Sequence, residues 1–133
     1  MFGAATPILR SFDEARTKDF YIDFLGFDPI FEHRDGDYLP LYMGIMKGGC
    51  ALHLSEHYGG GTPGSALMIP VDDVSAFAAS LRAKQHGNCR PGEPEEMPWG
   101  TRQITITDPS GNRLTFFTEI APMAGDEGDD GTT

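Results

Sequence analysis

Histidine, cysteine, serine and carboxylate side chains carry much of protein chemistry, and this chain gathers several in one stretch. Cys50, His53, Ser55, Glu56 and His57 all fall between positions 50 and 57. Three chemistries could draw on such a set. Metal coordination needs several imidazole, thiolate or carboxylate donors converging on one point. Nucleophilic catalysis needs a serine or cysteine beside an imidazole. Ligand binding needs only rings and polar groups aimed into a hollow. If Cys50–Glu56 is a strand, side chains alternate between its faces, so His53 shares a face with neither Cys50 nor Glu56. That disfavours both a Cys50–His53 thiol–imidazole pair and a local His53–Glu56 metal pair, and His33 could join only through tertiary folding. Ser55 and Ser65 lie in no nucleophile elbow. There is no P-loop and no GxGxxG, because Gly59-Gly60-Gly61 runs into Thr62-Pro63-Gly64 rather than a helix.

Aromatic groups offer the remaining chemistry. Trp99, the only tryptophan, sits in Met97-Pro98-Trp99-Gly100 ahead of a strand, where its ring could stack on a planar ligand and Gly100 allows close approach. Packing of a loop onto a sheet, or a dimer contact, is the competing role. Tyr42 has opposite parity to Leu41, Met43 and Ile45, so its ring is expected on the other face. Phe31, His33 and Tyr38 border Arg34-Asp35-Gly36-Asp37, a rim that could close over a ligand. Arg102 has the parity of Ile104 and Ile106, and a bridge to Glu95 or Glu96 competes there with ligand binding.

The elements that must position these groups repeat in order. Residues 5–12 read as a buried strand, and Ser11-x-x-Glu14 or Asp13 can cap a helix that ends before Gly26. Strands are expected over Phe27–His33, Leu39–Met46 and Cys50–Glu56, the first two joined by an Asp-Gly hairpin. Residues 58–64 read as a linker. Ser65–Val71 is then a strand. Asp72 and Asp73 can cap a helix with Val74, Phe77, Ala78 and Leu81 on one face, and Gly87 can terminate it. An irregular segment over Arg90–Glu96 leads to a strand over Thr101–Thr107, the turn Asp108-Pro109-Ser110-Gly111-Asn112, and a strand over Arg113–Thr118. This gives a single domain over 1–120, with modules of about 5–57 and 65–119, and a disordered acidic tail over 121–133.

The chain has 133 residues with 10 Lys and Arg against 20 Asp and Glu, a formal charge of −10. That balance repels phosphate backbones and anionic membrane surfaces, so neither nucleic acid nor membrane is expected as a partner. No apolar run approaches the ~20 residues of a membrane span. No basic segment precedes an apolar run at the N-terminus, and Cys50 and Cys89 form no CxxC pair, so a cytoplasmic protein with free thiols is expected.

Four pieces, taken in order, resemble a known family: Phe20-Tyr21 with Leu25-Gly26-Phe27, Leu52-His53-Leu54-Ser55-Glu56-His57, Pro98-Trp99-Gly100-Thr101-Arg102, and Asp108-Pro109-Ser110-Gly111-Asn112-Arg113-Leu114-Thr115-Phe116. Together they look like the glyoxalase/bleomycin-resistance/extradiol-dioxygenase superfamily, the vicinal oxygen chelate fold. The resemblance implies an α+β fold in which paired βαβββ modules form curved mixed sheets around a cup, with two main helices outside, in a homodimer. The metal-ligand positions of that family fall at about Thr6, His53, Ala66 (or Ser65) and Thr115, of which only His53 is a good donor, so no metal or other cofactor is expected. The family register also turns His53 and Phe117 toward the cavity. The resemblance is nearest to bleomycin-resistance members, which sequester a large cationic glycopeptide by stacking and charge complementarity. The expected function is therefore non-catalytic binding of a planar or cationic, bleomycin-like ligand in a dimer crevice by Trp99, His53, Tyr42, Phe117, Tyr38, Phe31, His33 and Arg102. The alternatives are a metal-dependent lyase or dioxygenase using His53, and a protein–protein adaptor.

Overall fold

The structure is a computed structural model that describes residues 1–87 and 91–120. The expected free thiol of Cys89, the start of the 90–96 segment and the acidic tail lie outside the described residues. The elements are β1 (Ile8–Arg10), α1 (Glu14–Lys18), a π-helical stretch (Asp19–Phe24), β2 (Asp28–His33), β3 (Tyr42–Lys47), β4 (Cys50–Ser55), β5 (Ala66–Pro70), α2 (Val74–Lys84), β6 (Glu95–Glu96), β7 (Thr101–Thr107) and β8 (Arg113–Glu119). The fold is α+β, with strand–helix–three-strand order occurring twice and two four-stranded sheets, β1-β4-β3-β2 and β5-β8-β7-β6. Two compact units form, one from Met1–Ala66 with Thr107–Arg113, the other from Leu67–Ile106 with the chain from Leu114. No helix among the described residues is long and apolar enough to cross a membrane.

In the first unit β1 runs parallel to β4, while β2–β3 and β3–β4 are antiparallel. Leu9, Met43, Ile45, Leu52 and Leu54 are buried with Phe20, Tyr21, Phe24 and Phe27. The first helix departs from the expected form. Asp13 caps it, its carboxylate accepting from the Arg16 N–H at 3.0 Å. Ser11 instead shares a buried 2.7 Å hydrogen bond with the Thr17 hydroxyl. After Lys18 the ladder widens, and the Leu25 N–H donates to the Phe20 carbonyl five residues back. Gly26 then takes φ +84°, the left-handed turn expected there.

Three further expectations are corrected in this unit. Strand β1 is shorter than 5–12. The hairpin forms, with His33 opposite Tyr42, but not through a tight Asp-Gly turn: β2 ends at His33 and β3 begins only at Tyr42. Pro40 has no N–H for a ladder, and the Leu41 N–H donates to the Glu56 carboxylate at 3.0 Å, so neither residue continues β3. The glycine stretch is not a free spacer either. A Cβ on Gly61 would stand 3.0 Å from the Arg10 nitrogen and the Ile8 carbonyl oxygen, so glycine is what lets this backbone lie along β1.

The Asp108–Asn112 turn of the first unit exposes Pro109 and Gly111 but buries its two end residues, Asp108 and Asn112, in a hydrogen-bonded knot. The Asp108 carboxylate accepts from the Tyr21 hydroxyl (2.6 Å), the Asn112 side-chain amide (2.9 Å) and the Ser110 and Asn112 N–H groups (2.9 and 2.8 Å). Asn112 also donates to the Arg10 carbonyl and accepts from the Ser65 N–H. Every polar group so buried finds a partner, as burial requires.

In the second unit Asp73 caps α2 by accepting from the Ala76 N–H at 3.1 Å. Val74, Ala78 and Leu81 are buried, and Phe77 meets Phe116 with ring centroids 4.8 Å apart. Gln85, at φ +50°, ends the helix two residues before the glycine expected to do so. The Thr118 hydroxyl accepts from the Val74 N–H and donates to the Val71 carbonyl, tying β8 to the helix start. Ile104 and Ile106 are buried on β7, with Leu114 and Phe116 on β8. The expected irregular segment ends in β6, paired antiparallel to β7.

Candidate functional site

Parity places Tyr42 and His53 on the face of the first sheet opposite Met43, Ile45, Leu52 and Leu54, and their rings meet there. The Tyr42 hydroxyl and His53 Nδ1 share a 2.8 Å hydrogen bond, and the ring centroids are 5.3 Å apart at 76°. His53 Nε2 takes no part in that bond. The His53 backbone N–H donates to the Pro7 carbonyl at 2.9 Å, fixing the strand beneath the ring.

Phe31 reaches the same face through a bulge. Pro29 pairs with Ile45, but the register shifts before Phe31, which stands opposite Gly44 in the place Ile30 would otherwise take. Its ring stacks on Tyr42 at 6.2 Å and 17°, and meets His53 edge-on at 5.3 Å and 86°. Gly44 makes this possible: a Cβ there would collide with the Phe31 ring, with Cδ2 at 2.8 Å and Cζ at 3.0 Å. His57 adds a tilted ring 6.5 Å from Tyr42. Gly44 and His57 were not singled out by sequence as site residues. An interior strand glycine signals a close approach, but its partner could not be named without the register.

A charge network holds the elements around this cluster. Lys18 Nζ lies 2.8 Å from Glu14 and 2.9 Å from Glu32 on β2, and Arg34 Nη2 lies 2.6 Å from Glu14. Hydrogen bonds from Lys18 and Arg34 hold the Glu14 carboxyl below the ordinary carboxylate range, and the bond to Glu14 raises Lys18. The two ends of α1 are thereby tied to Glu32 near the end of β2 and to Arg34 just past it.

The other expected site residues lie elsewhere. His33 is on β2 opposite Tyr42, but its Nε2 bonds Asp35 at 3.1 Å. Tyr38 is fully exposed and lines a cleft of about 340 Å³ with Arg10, Arg34 and Glu56. Trp99, Arg102 and Phe117 belong to the second unit. Trp99 is 44% exposed on a turn closed by the Gly100 N–H to Met97 carbonyl bond, with Gly100 at φ +97°. Arg102 donates to Glu96 at 2.8 Å and approaches the Ser75 hydroxyl at 3.4 Å, the bridge that competes with ligand binding. Phe117 is half-buried on β8, on the side of Thr115.

The family's metal positions do not suit an ion. Thr6, Ala66 and Thr115 offer no imidazole or carboxylate, and the Thr115 hydroxyl is shared with Thr105 at 2.8 Å. His53 Nδ1 is held by Tyr42. Among the described residues no three His, Cys, Asp or Glu side chains gather into a metal-binding group. One imidazole cannot satisfy a divalent site, so these residues do not fit a metal ion. Cys50 is a free thiol whose pKa burial raises, which makes it a poor nucleophile.

A family model for glyoxalase superfamily proteins matches residues 1–122. The bleomycin resistance determinant encoded on transposon Tn5 is similar with a TM-score of 0.68 and 26% identity, over 89% of this chain and 98% of that one. The bleomycin-binding protein of Streptomyces verticillus, solved with copper(II)-bleomycin, gives a TM-score of 0.66 at 27% identity, over 87% and 95%. TnmS3, an antibiotic binding protein from Streptomyces sp. CB03234, shares the fold with a TM-score of 0.66 at 23% identity, over 90% and 98%. No curated protein sequence matches the chain.

Proposed function

The chain belongs to the glyoxalase superfamily, and on that premise we propose that it is a metal-free binding protein that sequesters a planar, cationic, bleomycin-like molecule without transforming it. The observation that carries the reading is the convergence of Phe31, Tyr42 and His53 on one sheet face around Gly44. Such a surface offers flat rings and one imidazole nitrogen, Nε2, outside the Tyr42 bond. Aromatic stacking contributes about 0.5–1.5 kcal/mol per ring pair beyond buried area, enough to bind by accumulation. Solved structures similar to this chain at 26–27% identity include bleomycin resistance and bleomycin-binding proteins, which supports the same ligand class. A net charge of −10 steers a cationic ligand inward and raises the association rate more than the affinity.

In this reading the protein works as a homodimer in the cytoplasm, as a single domain over 1–120, and the crevice between copies is completed by Trp99 and Phe117. The test is a titration of the full chain with metal-free bleomycin, following Trp99 fluorescence and the mass of the particle in solution. The expected result is saturable quenching by a dimer, lost in Trp99→Ala together with drug protection in cells. No saturable response, with Trp99→Ala leaving protection intact, rejects sequestration.

A further inference from the structure

Arg10 ends β1 with a charge that no carboxylate among the described residues pairs. Its Nη1 donates to the His57 carbonyl at 2.9 Å. Its guanidinium carbon lies 4.8 Å from the centre of the Phe12 ring and 5.9 Å from that of Tyr58, so two aromatic faces hold the planar group in place. Its Nε is buried with no acceptor among the described residues. A buried charged N–H without a partner is costly and rare in a folded protein, and calls for an explanation.

Arg10 opens onto the 340 Å³ cleft that Tyr38 borders, together with Phe12, Arg34, Leu39 and Glu56. The charges there are not equivalent. Arg34 is already paired with Glu14 at 2.6 Å. Glu56 accepts from the Leu41 N–H through Oε1 and enters no ion pair among the described residues, although its charge acts on Arg34. The cleft therefore presents one unpaired cation and one unpaired anion on a partly apolar wall. A simple anion would meet Glu56, and a simple cation would meet both arginines. A molecule carrying both signs satisfies both groups.

We infer that this cleft is a second binding site, for a small zwitterion with an apolar body, the class of an aromatic α-amino acid or a dipeptide. Its carboxylate lies against the Arg10 guanidinium, its ammonium against Glu56, and its body against Phe12, Tyr38 and Leu39. The cleft is at the small end of the size range of ligand pockets, about 300–1,000 Å³, which matches a ligand of that size. None of Phe31, Tyr42 and His53 lines it, so the inference stands apart from the proposed sequestration.

The test is an amide NMR titration of the full chain with L-phenylalanine, L-phenylalaninamide and N-acetyl-L-phenylalanine. Phenylalanine is expected to saturate with a dissociation constant in the millimolar range, shifting Arg10, Phe12, Leu39 and Glu56. The amide and the N-acetyl derivative should each bind about tenfold more weakly, as for loss of one charge-assisted contact. Glu56→Gln should lose the preference for phenylalanine over its N-acetyl form, and Arg10→Lys should weaken phenylalanine while keeping the fold. Because the three ligands are compared on the unmodified protein, the outcome does not depend on a variant folding. No saturable shift, equal binding of all three, or shifts centred on His53 or Trp99 each overturn the inference.

Discussion

Gly44→Ala isolates the aromatic cluster from the rest of the fold. The glycine lies outside the positive-φ set, so alanine fits the backbone. Its Cβ would meet only Phe31 atoms among its three nearest neighbours, and Phe31 is 41% exposed on an edge strand, free to swing away. Replacing glycine inside a strand gains about 0.5–1 kcal/mol of backbone entropy. Displacing the ring costs about 0.5–1.5 kcal/mol, whether as a strained rotamer or as a lost edge contact with His53. The terms nearly cancel, so Tm should move by no more than about 4 °C. Binding has no such compensation: under the proposed function, losing one ring's stacking, about 0.5–1.5 kcal/mol, should weaken bleomycin binding roughly two- to tenfold. Calorimetric titration, thermal melts and the His53 ring-proton shifts, which sense the Phe31 ring current, are read together. Phe31→Ala should show the same loss, and Gly44→Ala added to it should cost nothing more. Unmoved His53 resonances with unchanged affinity in Gly44→Ala would refute the reasoning, as would additive losses in the double variant.

Three further outcomes follow from the titratable groups. Burial, then the neighbouring Asp108 carboxylate, push the Tyr21 phenol far above its ordinary value of 10, so the stability it provides is complete below pH 10 and falls as pH rises past it. Tyr21→Phe should cost about 1.5–3 kcal/mol at neutral pH and show a flatter decline in urea melts between pH 9 and 11, whereas parallel declines contradict the assignment. Cys50, raised by burial above 9, should alkylate slowly at neutral pH in a Cys89→Ser background, and its rate should keep climbing beyond pH 9; a plateau below that pH contradicts burial. The Glu14 pairs stabilise above its unfolded value of 4.5 and are lost as pH falls through the lowered folded value. Because Glu14 is over a third exposed, Glu14→Gln should cost under about 1 kcal/mol at pH 7, a gap that closes at low pH and would not close if the pairs were irrelevant.

What could be read in the sequence depended on whether the signal was local. Asp73 followed by Val74, Ala78 and Leu81 states a cap and a buried face within one helix. The alternation of Ile104 and Ile106 states a strand in the same way. Tyr42 could be placed by parity against Met43 and Ile45, and His53 by the register of the resembled family, so two rings of the cluster were legible. The third was not. Phe31 faces them only because a bulge after Pro29 shifts the register, and Gly44 matters only once Phe31 stands across from it. The tight turn after His33 gives way to a longer loop for a similar reason, since the Leu41 N–H is taken by Glu56, fifteen residues later. Asp108 reads as an ordinary turn former, yet its carboxylate is the buried partner of Tyr21, a contact 87 positions long. Arg10 carries no local mark at all; its state depends on Phe12, Tyr58 and His57 together.

Under the proposed function, rings and charge hold the ligand, with no metal ion held by this chain's own side chains. Calorimetric titration of chelator-treated protein with metal-free bleomycin tests it most directly. The expected result is saturable binding of the same affinity before and after chelation. Binding that vanishes on chelation and returns only when a divalent metal is added to the protein would contradict it.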